Sequence, residues 1–182
     1  MSSPLRISIA KANLATATRL ANLGRQTFSE TFAANNTPED MAAFLAEAYG
    51  PELQLSELQQ PRYTFLLAEM QGELVGFVKL WRDSPLGLAA DEPALGRLEV
   101  KQLYVAEEWI GTGLGAALMR RIQELAQAEN CTAIVLGVWE RNERAKAFYQ
   151  RYGFREIGEQ AFKLGNDVQR DLILRKGLAG RA

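Results

Sequence analysis

Leu5 to Ala10 alternate apolar and polar side chains, which predicts a first strand. Leu20, Leu23, Thr27 and Phe28 then recur at spacings of three and four, which predicts a helix from Leu14 to about Ala34 with Asn13 as its cap. Thr37-Pro38-Glu39-Asp40 reads as a second helix start, with Thr37 as cap and Pro38 in the first helical position. Gly50-Pro51 ends that helix after Tyr49, and a short helix covers Pro51 to Gln60. Beyond it the period shortens to two. Tyr63 to Met70 and Glu73 to Trp81 read as antiparallel strands about a Gln71-Gly72 turn, and Leu95 to Val105 follows as a strand after a loop from Asp83 to Pro93. Leu114, Leu118, Ile122 and Leu125 form one stripe of an amphipathic helix from about Gly111 to Glu129. Thr132 to Trp139 is a mostly apolar strand, and Glu143 to Tyr152 a helix stopped by Gly153. Phe154 to Glu159 and Val168 to Leu174 are the last strands.

The predicted fold is therefore α/β: a mixed, mostly antiparallel sheet of about seven strands with helices on both faces. At 182 residues, with no break in composition, the chain reads as one domain, 1–182. A net charge of -1 supplies no basic footprint, so no nucleic-acid partner is expected. No apolar run reaches the length of a membrane span, and Met1 to Ala10 lacks the apolar stretch of a signal peptide, so a cytoplasmic protein is expected. The chain holds no histidine and a single cysteine, Cys131. That removes a Ser-His-Asp triad, a Cys-His pair and a His or multi-Cys zinc site, so no metal is expected. Any acid or base must be Glu, Asp, Lys, Tyr or a water that they hold.

Gly111, Gly113 and Gly115 alternate where a strand hands over to a helix. Each glycine within a helix costs about 0.5–1 kcal/mol relative to alanine, so three together need a reason. A tight turn with close helix packing accounts for one or two. Anion binding accounts for all three, because bare glycines let amides converge on a phosphate at a positive helix end. The string is not a P-loop, since no Gly-Lys-Ser/Thr follows at the right spacing. A dinucleotide fingerprint fits only as Gly111, Gly113 and Ala116, and too little chain follows for a doubly wound sheet.

Two segments together resemble the GCN5-related N-acetyltransferase (GNAT) family. The first is an apolar strand ending Leu103-Tyr104-Val105, followed by Gly111-Thr112-Gly113-Leu114-Gly115. The second runs from Asn142 through Ala145, Phe148 and Tyr149 to Gly153-Phe154. Leu136 to Glu140, with Phe162, Gly165, Asp167, Gln169 and Asp171, resembles more narrowly the PaiA-type branch that acetylates spermidine and spermine. Ile110 departs from the family pattern, which has Gln or Arg there.

The resemblance implies an acetyl-CoA-dependent N-acetyltransferase. It implies acetyl-CoA contacts at Leu103, Tyr104, Val105, Ile110, Gly111, Thr112, Gly113, Leu114, Gly115, Ala116, Asn142, Ala145 and Phe148. The strand ending at Val105 would offer backbone groups to the pantetheine arm and an amide to the thioester oxygen. Tyr149 is implied as general acid for the departing thiolate, against the plain reading of a core aromatic. Glu99 is implied as the base for the amine. It shares a sheet face with Val105 by the two-residue period, and its other reading is a solvated strand carboxylate. Phe28, Phe32 and Trp139 are candidates for the acceptor side, although core packing accounts for the two phenylalanines equally well. Asn142 serves as a helix cap on either reading.

With no Ser-His or Cys-His nucleophile, the amine is expected to attack the thioester directly. The expected acceptor is a polyamine, with a peptide or other small amine as the alternative. A non-catalytic CoA-binding module and a dinucleotide-dependent oxidoreductase are the rivals from other classes. A sheet edge near the C-terminus is compatible with a homodimer.

Overall fold

The computed structural model describes residues 5–179; Met1 to Pro4, part of the N-terminal stretch considered above, lie outside the described residues. Seven strands are hydrogen-bonded in the order β1-β2-β3-β4-β5-β7-β6. These are β1 (Arg6–Ile9), β2 (Tyr63–Met70), β3 (Glu73–Arg82), β4 (Arg97–Val105), β5 (Ala133–Trp139), β6 (Arg155–Leu164) and β7 (Asp167–Gly177). Five α-helices accompany them: α1 (Leu14–Phe32), α2 (Pro38–Ala48), α3 (Pro51–Leu58), α4 (Leu114–Ala128) and α5 (Glu143–Arg151). The sheet is mixed, with β4 parallel to β5 and the pairs β1–β2, β5–β7 and β6–β7 antiparallel. This is the α/β architecture expected from the order of periods in the sequence.

The chain divides into two compact units. One comprises the chain up to Lys79 with Gln102–Ile122; the other comprises Leu80–Lys101 with everything from Gln123 onward. In the first, Leu20 and Leu23 of α1 pack with Phe65, Leu67 and Phe77 of the sheet and with Ala106. The predicted stripe of α1 is buried as a whole, and the one polar member, Thr27, donates its hydroxyl proton to Leu23 O at 2.8 Å. Asn13 and Thr37 cap α1 and α2, accepting from Thr16 N at 2.9 Å and Asp40 N at 3.2 Å. The α1 helix stops at Phe32, two residues before its expected end, and tightens into a 3-10 turn over Ala33–Asn35. At the start of α4, Leu114 and Leu118 close over Gly76, where any Cβ would also meet Tyr104 O at 2.9 Å. Burial of Leu118 and Ile122 there stabilises the fold by about 1.5–3 kcal/mol each.

In the second unit, β5 lies between β4 and β7 and is buried at every position except Gly137. Both strands of the β6–β7 hairpin run well beyond their expected ends, to Leu164 and from Asp167 to Gly177. Hydrogen bonding to a partner strand extends them through residues whose polarity carries no period-two signal.

Candidate functional site

Within the first unit, β4 leads through a 3-10 turn at Glu107–Trp109 into the glycine-rich turn and α4. The helix starts at Leu114, not at Gly111. Gly111 and Gly113 take φ of 79° and 93°, left-handed values that a right-handed helix excludes and that L side chains rarely adopt. An added Cβ would meet nothing at either position, so backbone conformation and not crowding demands glycine. Gly113 O accepts from Ala117 N at 3.0 Å and so opens the helix.

The amides of this turn fall into two sets. Ile110 N donates to Glu107 O at 3.1 Å and Thr112 N to Trp109 O at 3.3 Å, with the Thr112 hydroxyl on the same carbonyl at 2.7 Å. Those two amides, expected among the anion contacts, serve the turn itself. Among the described residues, the amides of Gly111, Gly113, Leu114, Gly115 and Ala116 donate to no protein acceptor. Gly111, Thr112 and Gly113 are exposed. Five donors at the positive end of a fifteen-residue helix suit a diphosphate in both chemistry and number.

The strand before this turn has a second property. Arg97–Glu99 of β4 pair in parallel with Ala133–Val135 of β5, and β4 continues to Val105.

Phe28 stacks on Phe32 at 4.3 Å and on Phe44 at 4.4 Å between ring centres. Phe28 is enclosed and Phe32 is half-buried, so only Phe32 of the predicted pair offers appreciable surface. The cluster continues to Tyr49, whose hydroxyl lies 2.8 Å from that of Tyr104. Burial, and then the neighbouring Tyr104, push the Tyr49 phenol far above its ordinary range, so it stays protonated. Gln102 donates to the Tyr49 hydroxyl at 3.4 Å, while its buried Oε1 has no partner among the described residues. Sequence reading missed Phe44, Tyr49 and Gln102, because no local spacing links them to Phe28.

Within the second unit, Asn142 caps α5, accepting from Ala145 N at 3.1 Å. The Ala145 amide is thereby used, so any contact of Ala145 with a ligand falls to its methyl group. Tyr149 is buried, with its ring 5.3 Å from Phe148 and 5.5 Å from Phe154. Phe148 is half-buried, packs on Tyr152 at 4.9 Å and has the Arg151 guanidinium 6.0 Å from its ring centre.

Glu99 is not a solvated strand carboxylate: it is 6% exposed. It accepts from the Ser84 hydroxyl and pairs with Lys101 Nζ at 3.3 Å. Lys101 stands two residues away on the same strand face and was legible in the sequence; Ser84 comes from the preceding loop and was not. Trp139 is buried at the end of β5, directly opposite Asp171 of β7.

The profile of the acetyltransferase (GNAT) family matches residues 25–154. An uncharacterized N-acetyltransferase of Lactobacillus delbrueckii subsp. lactis is 34% identical over 156 residues, covering 86% of this chain and 88% of its own. The spermine/spermidine N(1)-acetyltransferase of Bacillus subtilis is 33% identical over 96 residues, 50% of this chain and 59% of its own. In fold, the chain is similar to the PaiA N-acetyltransferase of Thermoplasma acidophilum, solved in complex with coenzyme A. The TM-score is 0.73 at 21% identity, covering 95% of this chain and 99% of that one.

Proposed function

Because the chain belongs to the acetyltransferase (GNAT) family and is an acyltransferase, we propose that it moves the acetyl group of acetyl-CoA directly onto a primary amine of a polyamine. The observation that carries the donor assignment is the set of five amides at Gly111, Gly113, Leu114, Gly115 and Ala116 with no protein acceptor. They bind the diphosphate and need no side chain to do so, which is why Ile110 at the family's Gln or Arg position is tolerated. The end of β4 offers backbone groups to the pantetheine arm. Acetyl-CoA supplies an activated carbonyl.

The amine nitrogen attacks that carbonyl carbon, the carbon–sulfur bond breaks, and CoA departs as thiolate. The Tyr149 phenol donates its proton to the thiolate, and Glu99 takes the proton lost by the amine, directly or through water. Held orientation of the two substrates contributes much of the acceleration. Phe32, half-buried and stacked on the enclosed Phe28, supplies apolar surface for the methylene chain of the acceptor. The polyamine assignment is supported by the half-chain likeness to the Bacillus subtilis enzyme and by the motif likeness to the PaiA type. A reducing cytoplasm suits the single buried Cys131.

The test is thiol release from acetyl-CoA with spermidine, spermine, amino acids, aminoglycosides and short peptides, alongside thermal melts with acetyl-CoA and with NAD. Release with the polyamines and stabilisation by acetyl-CoA alone are expected. Stabilisation by NAD, or release only with peptides, overturns the donor or the acceptor assignment respectively.

A further inference from the structure

One face of the second unit's sheet holds a carboxylate for which the mechanism above has no use. On β7, Asp171 lies directly opposite Trp139 of β5 and Gln160 of β6, so these three side chains share a face. Gly137, two residues before Trp139, shares it as well, and so does Glu99, paired with Val135. Part of this face is covered by the loop between β3 and β4. Ser84 reaches Glu99, Arg97 Nη2 donates to Leu86 O at 2.6 Å, and Gly87 lies against Ile173. Gln160, on the same face, is exposed. Gly137, the one position of β5 that is not buried, is a gap in the face. The side chains of Gln160 and Asp171 converge over that gap: a Cβ on Gly137 would lie 3.1 Å from Gln160 Nε2 and 3.4 Å from Asp171 Oδ2.

The Asp171 carboxylate is half-buried, burial raises its pKa, and among the described residues no hydrogen bond or ion pair reaches it. The adjacent Arg170 points to the opposite face and is held by Glu140 at 2.7 Å and Glu159 at 2.9 Å. Arg97 and Arg175 share Asp171's face further along, beside the loop-covered end. A desolvated anion without a donor costs stability, and retaining one beside an opening calls for a cationic partner from outside the chain.

We propose that Asp171 holds a second ammonium group of the acceptor, the one not being acetylated, as it lies over Gly137 with its methylene chain against Trp139. This rests on the polyamine reading and deepens it. Asp171 stands two strands and four residues from Glu99, roughly 16 Å apart at Cα in an ideal sheet. A long polyamine with charges separated by methylene runs matches such a spacing, and a simple alkylamine brings no second charge to it.

The experiment compares spermidine and n-hexylamine as acceptors for the wild type, Asp171→Asn, Asp171→Glu and Gly137→Ala. Asp171→Asn is expected to lose about tenfold or more in kcat/KM for spermidine, chiefly through KM, as for one charge-assisted hydrogen bond. It should change less than twofold for hexylamine and for the KM of acetyl-CoA. Asp171→Glu should recover part of the loss, and Gly137→Ala, which fills the gap, should reproduce it. Equal losses for both amines, or none, overturn the proposal while leaving the acetyltransferase intact. A wild type that uses hexylamine but not spermidine overturns this proposal and the polyamine reading together. If the wild type uses neither, the alkyl-polyamine reading fails. Equilibrium dialysis of spermidine against the CoA-loaded proteins then decides the matter: weaker binding by Asp171→Asn sustains the anchor, and equal or no binding overturns it.

Discussion

Replacing Asp171 by Asn is expected to stabilise the protein at neutral pH even as it weakens acceptor binding. Burial raises the Asp171 carboxyl from the ordinary 3.8 to about 6. The folded state thus binds the proton more tightly than the unfolded chain, so ionising Asp171 costs folding free energy. That cost is fully present above about pH 6, shrinks as the pH falls, and vanishes below the unfolded value of 3.8. At about 1.36 kcal/mol per pH unit the gap corresponds to about 3 kcal/mol. The carboxylate is half-buried, and solvent screening reduces this to ~1–2 kcal/mol. Asparagine keeps the size and removes the charge. Its melting temperature at pH 7.5 should exceed that of the wild type by roughly 2–8 °C, the scale for a chain of this length. The difference should close as the pH approaches 4. Thermal melts from pH 4 to 8, without acceptor, measure it. A gap that is constant across that range, or a variant less stable at pH 7.5, refutes the reasoning, because both would mean that the carboxylate is already compensated within the chain.

Tyr149→Phe should lower kcat by about 10²-fold or more while the KM for acetyl-CoA moves less than twofold; an unchanged kcat removes Tyr149 from the chemistry. Glu99→Gln should abolish or displace the acidic limb of the pH–rate profile, and a profile that keeps its shape shows that the amine proton goes elsewhere. Gly113→Ala forces a side chain into φ of 93° and should cost about 1–3 kcal/mol of stability. It should also raise the KM for acetyl-CoA tenfold or more by turning the Leu114 and Gly115 amides out of line, and native-like affinity in a folded variant would argue against those amides as the diphosphate cradle.

The sequence by itself determined whatever depends on neighbours a few residues apart. Asn13, Thr37 and Asn142 cap their helices because each accepts from an amide three residues ahead. The stripe Leu114, Leu118 and Ile122 is buried because helical period alone aligns it. The glycine-rich turn and the Asn142-to-Phe154 segment carried the family, since backbone geometry at a strand-to-helix junction is written in the residues that form it. Tertiary structure decided what distant segments do to one another. The strand period assigned Glu99 to a face, but only the returning loop, with Ser84, buried it. Helix spacing paired Phe28 with Phe32, but Phe44 arrives from another helix and encloses Phe28. The long β6–β7 hairpin exists because each strand supplies the other's hydrogen bonds, which no pattern of polarity encodes. The likeness to the PaiA type marks Asp171 in the chain, but not its surroundings. Its isolation comes from the registers that set it beside Gly137 and Gln160, and from the opposite-face ion pairs that occupy Arg170. Electrostatic environment is a property of the assembled neighbours, and those are chosen by packing across the sheet.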